Sequence, residues 1–208
     1  MAFYKKINFN DKADIFIWKI NEDIEILKSN VILKPESLVR YNGMKSESHK
    51  KGFLAVRMLL QYCGYTDYDL IYDESGKPFL IDGKFISITH SFDFSVISIG
   101  TETLGIDIEL KRDKVLRIAN KFSAENFMTL DLETSLQIKL YTIIWGAKES
   151  IFKIVNEPGI SFLDHIEVKS FDFKENQTSA VLNWKNKSED FLIYFKEIEN
   201  YVLVYACR

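Results

Sequence analysis

From Ser135 to Val155 the apolar residues recur at helical spacing. Leu140, Ile143, Ile144, Ala147, Ile151 and Ile154 fall on one stripe. A helix this apolar along one side has to be covered, and the covering surface is readable just beyond it. After a stop at Pro158-Gly159, four segments are rich in β-branched and aromatic residues: His165 to Phe173, Ser179 to Trp184, Phe191 to Glu197 and Tyr201 to Ala206. They read as four strands of a meander. Leu104 to Leu110 alternates and reads as a further strand. A long helix on a mostly antiparallel sheet, the α+β class, is what this half can form.

The first half has a similar plan. Phe3 to Trp18 reads as a hairpin around the turn-like pair Asn10-Asp11. Glu22 to Ser29 reads as a short helix, and Pro35 followed by Glu36 opens a second. Lys45 to Tyr62 is the long helix, with Phe53, Val56, Leu59 and Leu60 at helical spacing and Gly64 as its stop. Short strands follow in Tyr68 to Ile81 around Glu74-Ser75-Gly76-Lys77-Pro78, then Lys84 to His90 and Phe94 to Ile99. Asn120 to Leu140 reads as helical with a break near Phe122-Ser123. Two α+β halves are expected, 1–103 and 104–208, joined as one continuous globular unit. No repeat is visible between their residues.

With 208 residues, 47% hydrophobic and 27% charged, the chain has an ordinary globular composition and enough length for a core. No apolar run suits a membrane span. Met1 to Asn10 lacks the apolar stretch of a secretory signal, and Asp11 and Asp14 disfavour a transit peptide. Cys63 and Cys207 are too few for a disulfide framework or a zinc site, so a reducing, cytoplasmic setting is expected. A net charge of -3 removes the bulk footprint of a nucleic-acid binder. Neither nucleic acid nor membrane is expected as a partner. His49, His90 and His165 lack the spacing of a transition-metal site.

Three segments carry chemistry. In Gly105-Ile106-Asp107-Ile108-Glu109-Leu110, strand alternation puts Asp107 and Glu109 on one face. Two such carboxylates repel each other unless they share a cation, and hard oxygen ligands suit magnesium. A solvated strand face is the plainer reading of an isolated D-x-E. In Trp145-Gly146-Ala147-Lys148-Glu149-Ser150-Ile151-Phe152-Lys153, Glu149 lies off the apolar stripe beside Trp145, Gly146, Phe152 and Lys153. Glu149 and Lys153 could form a mere surface pair, but the two aromatic residues argue for a semi-buried face. Gly146 in mid-helix costs about 1 kcal/mol relative to Ala, which a close approach would explain. The third segment, Ile86-Ser87-Ile88-Thr89-His90-Ser91, ends a strand in groups that suit a phosphate.

Together these segments resemble the 4'-phosphopantetheinyl transferase superfamily, in its long, surfactin-synthetase-activating (Sfp-like) type. That family carries a G-I-D-[IVL]-E strand and, further on, a W-x-x-K-E-x-x-x-K helix. Here they are Gly105 to Glu109 and Trp145 to Lys153. Its G-K-P element is matched by Gly76-Lys77-Pro78. Its S-H-S element is matched by Thr89-His90-Ser91, where Thr keeps the hydroxyl. Lys51 to Leu60 looks like its R-x-F-L-x-x-R-x-L-L stretch, with Lys51 in place of the first Arg. The ordered match runs from about residue 40 to 160.

The resemblance implies two pseudo-symmetric α+β halves with coenzyme A in the cleft between them. It implies transfer of the 4'-phosphopantetheine arm of coenzyme A to a serine of an apo acyl or peptidyl carrier protein, releasing 3',5'-ADP. It implies Mg2+, with Mn2+ open, held by Asp107, Glu109 and Glu149. Glu149 is the expected base for the serine proton, directly or through a metal-bound water. The alternative gives all three carboxylates to the metal and the proton to water. Lys153, and Lys148 beside it, would neutralise phosphate oxygens, and Thr89 and His90 would hold phosphate. Lys77, Arg57 and one of Lys50 or Lys51 would surround the nucleotide and its 3'-phosphate. The carrier is typically acidic around its serine, so a basic or apolar docking surface is expected. Phe122, Phe127 and Met128 could supply it, or could equally be core. A monomer is expected.

Two other readings compete. Glu109-Leu110-Lys111 with Asp93 would mimic a magnesium nuclease, but the chain's acidity and lack of a basic run argue against it. A non-catalytic coenzyme A-binding scaffold would have no physical reason to keep three close acids.

Overall fold

A computed structural model describes residues 3–123 and 131–208. Phe127 and Met128 lie outside the described residues. The chain divides into two compact units, Met1–Leu104 and Gly105–Arg208. Each is α+β, built on one sheet whose described strand pairs are all antiparallel. No helix among the described residues is long and apolar enough to cross a membrane.

The first unit has a six-stranded sheet. Its strands are β1 (Phe3–Phe9), β2 (Ala13–Lys19), β3 (Leu70–Tyr72), β4 (Pro78–Leu80), β5 (Phe85–Ser91) and β6 (Phe94–Gly100), in the order β1-β2-β6-β5-β4-β3. Asn10 and Asp11 turn the first hairpin at positive φ, which these short polar residues tolerate. Three helices accompany the sheet: α1 (Ile24–Ser29), α2 (Pro35–Gly43) and α3 (Glu47–Tyr62). Ser46 caps α3 by accepting a bond from the His49 amide. Cys63 ends the helix, and Gly64 follows at φ +85. The buried side of α3, including Phe53, Val56, Leu59 and Leu60, joins Leu27, Leu70, Leu80 and Ile97 in one core.

The second unit has a five-stranded sheet, order β7-β11-β10-β9-β8. The strands are β7 (Gly105–Leu110), β8 (Ile166–Val168), β9 (Gln177–Trp184), β10 (Lys187–Ile198) and β11 (Tyr201–Cys207). The last four form the expected meander, and β7 adds to its end. A short helix α4 (Lys114–Ile118) leads into a single 3-10 turn, Ala119–Lys121. Sequence periodicity misses α4 because five residues span little more than one turn. The long helix α5 (Thr134–Val155) lies on the sheet with every residue of its expected apolar stripe buried. These pack with Ile193, Phe195, Val202, Val204 and Ala206.

Strand β8 is shorter than the expected His165 to Phe173. Past Val168 one further backbone bond, from the Lys169 amide to the Ser179 carbonyl, continues the pairing; beyond it Phe171 and Phe173 pack edge to face, with Phe171 5.1 Å from the Phe195 ring.

Glycine sets how closely α5 lies on β7. A Cβ on Gly105 would sit 2.0 Å from the Ser150 carbonyl oxygen. That atom is backbone and cannot swing aside. Gly105→Ala is therefore expected to destabilise the chain by about 1–3 kcal/mol, the usual cost of overpacking. Urea unfolding monitored by circular dichroism checks this, and an unchanged midpoint would refute the close-approach account.

Candidate active site

Acidic and basic side chains come together where β7 meets α5. Asp107 is 5% exposed and points to the helix side of its strand. The Lys153 ammonium donates to Asp107 Oδ1 at 2.9 Å and to the Ile106 carbonyl at 2.9 Å. One helical turn earlier stands Glu149. Burial pushes its carboxyl above the usual carboxylate range, the charge of Asp107 raises it further, and Lys153 pulls it partly back. Gly146 completes the contact. A Cβ there would meet Val204 Cγ2 at 2.7 Å and come within 3.6 Å of Asp107 Oδ2. The mid-helix glycine is thus explained by close packing of α5 on β11 and β7.

Glu109 shares the face of Asp107, two residues along β7. It lines a small cavity of about 150 Å³ with Leu110, Arg112, Val115, Ile118 and Trp145. The aromatic side of α5 is covered, as its composition requires. Trp145 packs edge to face on Phe122 at 5.1 Å and against Phe162 at 5.5 Å, and Phe152 meets Phe162 at 6.0 Å. Phe122 is itself 1% exposed. It belongs to the core and not to a docking surface.

Lys148 requires a correction. It is 3% exposed, and its ammonium donates to the carbonyls of Phe162 and Ile166. It sits on the buried side of α5, so it does not present its charge to a phosphate. Burial lowers its pKa to about 8, partly offset by Asp164 and Glu167.

In the first unit, His90, next to last in β5, is exposed, and Thr89 and Ser91 on either side of it are buried. Gly52 of α3 makes room for the imidazole, since a Cβ there would lie 2.9 Å from His90 Cγ. The His49 ring lies 5.9 Å from that of His90. Lys51, in the same first turns of α3, pairs loosely with Glu47 at 3.5 Å, and Lys50 lies over the Tyr41 ring. Lys50, Lys51 and the helix N-terminus offer N–H donors that suit an anion at this corner, against the single acid Glu47. Sequence reading missed His49. Its place three residues before Gly52 on one helix face was the available signal. The turn after His90 holds Phe92 at φ 45, a strained conformation for an aromatic residue. Lys77 closes the β3–β4 turn, where Asp73 Oδ1 accepts from the amides of Ser75 and Lys77.

Arg57 requires the second correction. It is 3% exposed; Nε donates to Asp67 at 2.9 Å, Nη1 to the Phe53 carbonyl and Nη2 to Ser37. Its guanidinium also stacks 3.5 Å over the Phe53 ring. These contacts make it an internal brace of the first unit, not a nucleotide contact.

No three His, Cys, Asp or Glu side chains among the described residues converge as a ready cluster for an ion. The donor chemistry at β7 and α5 still fits a hard divalent cation. Two carboxylates stand within mutual electrostatic reach, one lysine offsets part of their charge, and Gly146 puts no side chain against Asp107.

A sheet-bound helix that brings an acidic pair and a lysine together has the donor chemistry to handle a phosphoryl group through a cation. Comparison with known proteins identifies the class. The sequence pattern of the 4'-phosphopantetheinyl transferase superfamily matches residues 103–206. The chain is 31% identical over 179 residues to the 4'-phosphopantetheinyl transferase gsp of Aneurinibacillus migulanus, covering 83% of this chain and 73% of that one. The chain belongs to the 4'-phosphopantetheinyl transferase superfamily, and it is a transferase of that kind.

Proposed function

We propose that this transferase moves the 4'-phosphopantetheine arm of coenzyme A to a serine of an apo acyl or peptidyl carrier protein, with Mg2+ as the metal. The observation that carries this is the Asp107–Glu149–Lys153 constellation. Asp107 and Glu149 would hold the cation, with Glu109 as a further carboxylate. When bound, the cation would offset charge on the diphosphate of coenzyme A. Glu149 takes the proton of the serine hydroxyl, directly or through an intervening water. The serine oxygen forms a bond to the phosphorus that bears the pantetheine arm. The bond from that phosphorus to the bridging oxygen breaks, and 3',5'-ADP leaves. Lys153 has three donors, two of them engaged by Asp107 and Ile106. Its third N–H can meet a phosphate oxygen. In the first unit, Thr89, His90, Lys51 and Lys77 are the proposed phosphate and nucleotide contacts, with Lys50 and His49 as neighbours.

The segment from Lys111 to Lys121 supports an acidic carrier. It carries Lys111, Arg112, Lys114, Arg117 and Lys121 against the single acid Asp113, and most of these are exposed. Intact-mass spectrometry of an apo acyl carrier protein, incubated with the chain, coenzyme A and Mg2+, tests the proposal. A gain of one phosphopantetheine is expected. No gain with several carriers, despite coenzyme A binding, would turn the reading toward a scaffold.

A further inference from the structure

The connection between α5 and β8, residues 156–165, has no strand or helix of its own. It nevertheless carries the ring that closes on Trp145. Its second half is tied into a turn. The His165 amide donates to the Ser161 carbonyl at 3.0 Å, the Ser161 amide donates to His165 Nδ1 at 2.8 Å, and the Ser161 hydroxyl donates to Asp164. What fastens this turn to the helix is Lys148, whose ammonium donates to the carbonyls of Phe162 and Ile166. Those two carbonyls lie at the two ends of the turn. Carbonyls only accept, so the fastening needs a donor with several N–H groups reaching out from α5, which Lys supplies.

We infer that Lys148 is a positioning residue for the transfer: it seats the 161–166 turn so that Phe162 braces Trp145 and Phe152. Trp145 is one helical turn from Glu149 and lines the same cavity as Glu109. The brace therefore reaches both proposed carboxylates through packed rings, without Lys148 touching substrate. The inference rests on the proposed role of the Asp107–Glu149 site.

Lys148→Met, Phe162→Ala and the double variant test it in the carrier assay, with kcat and the KM for coenzyme A measured separately and melting temperatures recorded alongside. Each single variant is expected to lower kcat about tenfold or more, because small misplacements of reacting groups are costly. The KM for coenzyme A should stay within about twofold, and the double variant should resemble the worse single one. A raised KM with kcat intact would make Lys148 a ligand contact and overturn the inference. Multiplicative losses in the double variant, or a lowered melting temperature with kcat unchanged, would overturn it too. Should Lys148→Met fail to fold, Phe162→Ala alone decides, since an unchanged kcat there breaks the proposed chain of contacts. Glu149→Gln serves as the separate control. Full turnover in that variant refutes the site, and this inference falls with it. Lost turnover there with normal kcat in the Lys148 and Phe162 variants refutes the positioning role alone.

Discussion

Asp107→Asn is expected to lower phosphopantetheine transfer by about 100-fold or more, the scale found when a preorganised electrostatic group is removed from an active site. The substitution keeps the shape of the side chain and removes its charge. Two consequences oppose each other in the folded protein. Lys153 loses a charge-assisted bond of 2.9 Å. Glu149 loses the neighbouring charge that pushes its carboxyl up, so its own ionisation becomes easier. The net change in stability should therefore be small, while the preference for a cation is lost. Thermal melts with and without Mg2+ separate these effects. The unsubstituted chain should gain melting temperature as Mg2+ is added, since a ligand bound only to the folded state stabilises it. The variant should show little gain. Retained transfer in Asp107→Asn would remove the carboxylate site from the mechanism.

Arg57→Ala is expected to have the largest effect on stability, about 3–5 kcal/mol. Its removal leaves Asp67 as a buried charge without its counter-ion. Both side chains of this pair are almost fully buried, at 3% and 0% exposure. Asp67 does more than pair with Arg57. Its Oδ2 accepts the amide of Lys34, the residue just before α2, at 2.9 Å. The pair thus ties the start of α2 to the middle of α3. Replacing Arg57 and Asp67 together by Leu should cost less than Arg57→Ala, because no lone charge then remains buried. Urea midpoints of the three proteins measure this. The KM for coenzyme A of whatever Arg57→Ala remains folded should be unchanged. A selective rise in that KM with normal stability would restore Arg57 to the nucleotide site.

The contrast between Arg57 and Lys153 shows where reading residues in order reaches its limit. Both are basic residues on long helices, and both sit in recognisable motifs. Arg57 turns inward to a carboxylate ten positions along the chain. Lys153 meets an acid 46 positions away, across a helix-to-strand contact. Spacing along one helix cannot tell these apart, because the difference lies in the partner. Lys148 repeats the lesson. It neighbours Glu149 in the motif, but a step of one residue turns a side chain by about 100° around a helix. The ammonium accordingly goes to two carbonyls behind the helix, away from the acidic pair.

Taken by itself, the amino-acid sequence determined the α+β class, the meander, the two long helices and the shared face of Asp107 and Glu109. These depend on periods of two and 3.6 residues, which are local properties of the chain. It also carried the motifs that place the chain in its superfamily. Only the tertiary structure decided which charged residues face one another, why Gly105 and Gly146 have to be glycine, and that Arg57 and Lys148 turn inward to buried partners. Those outcomes depend on side chains meeting across long stretches of sequence, where burial and the need to satisfy each polar group select the partner.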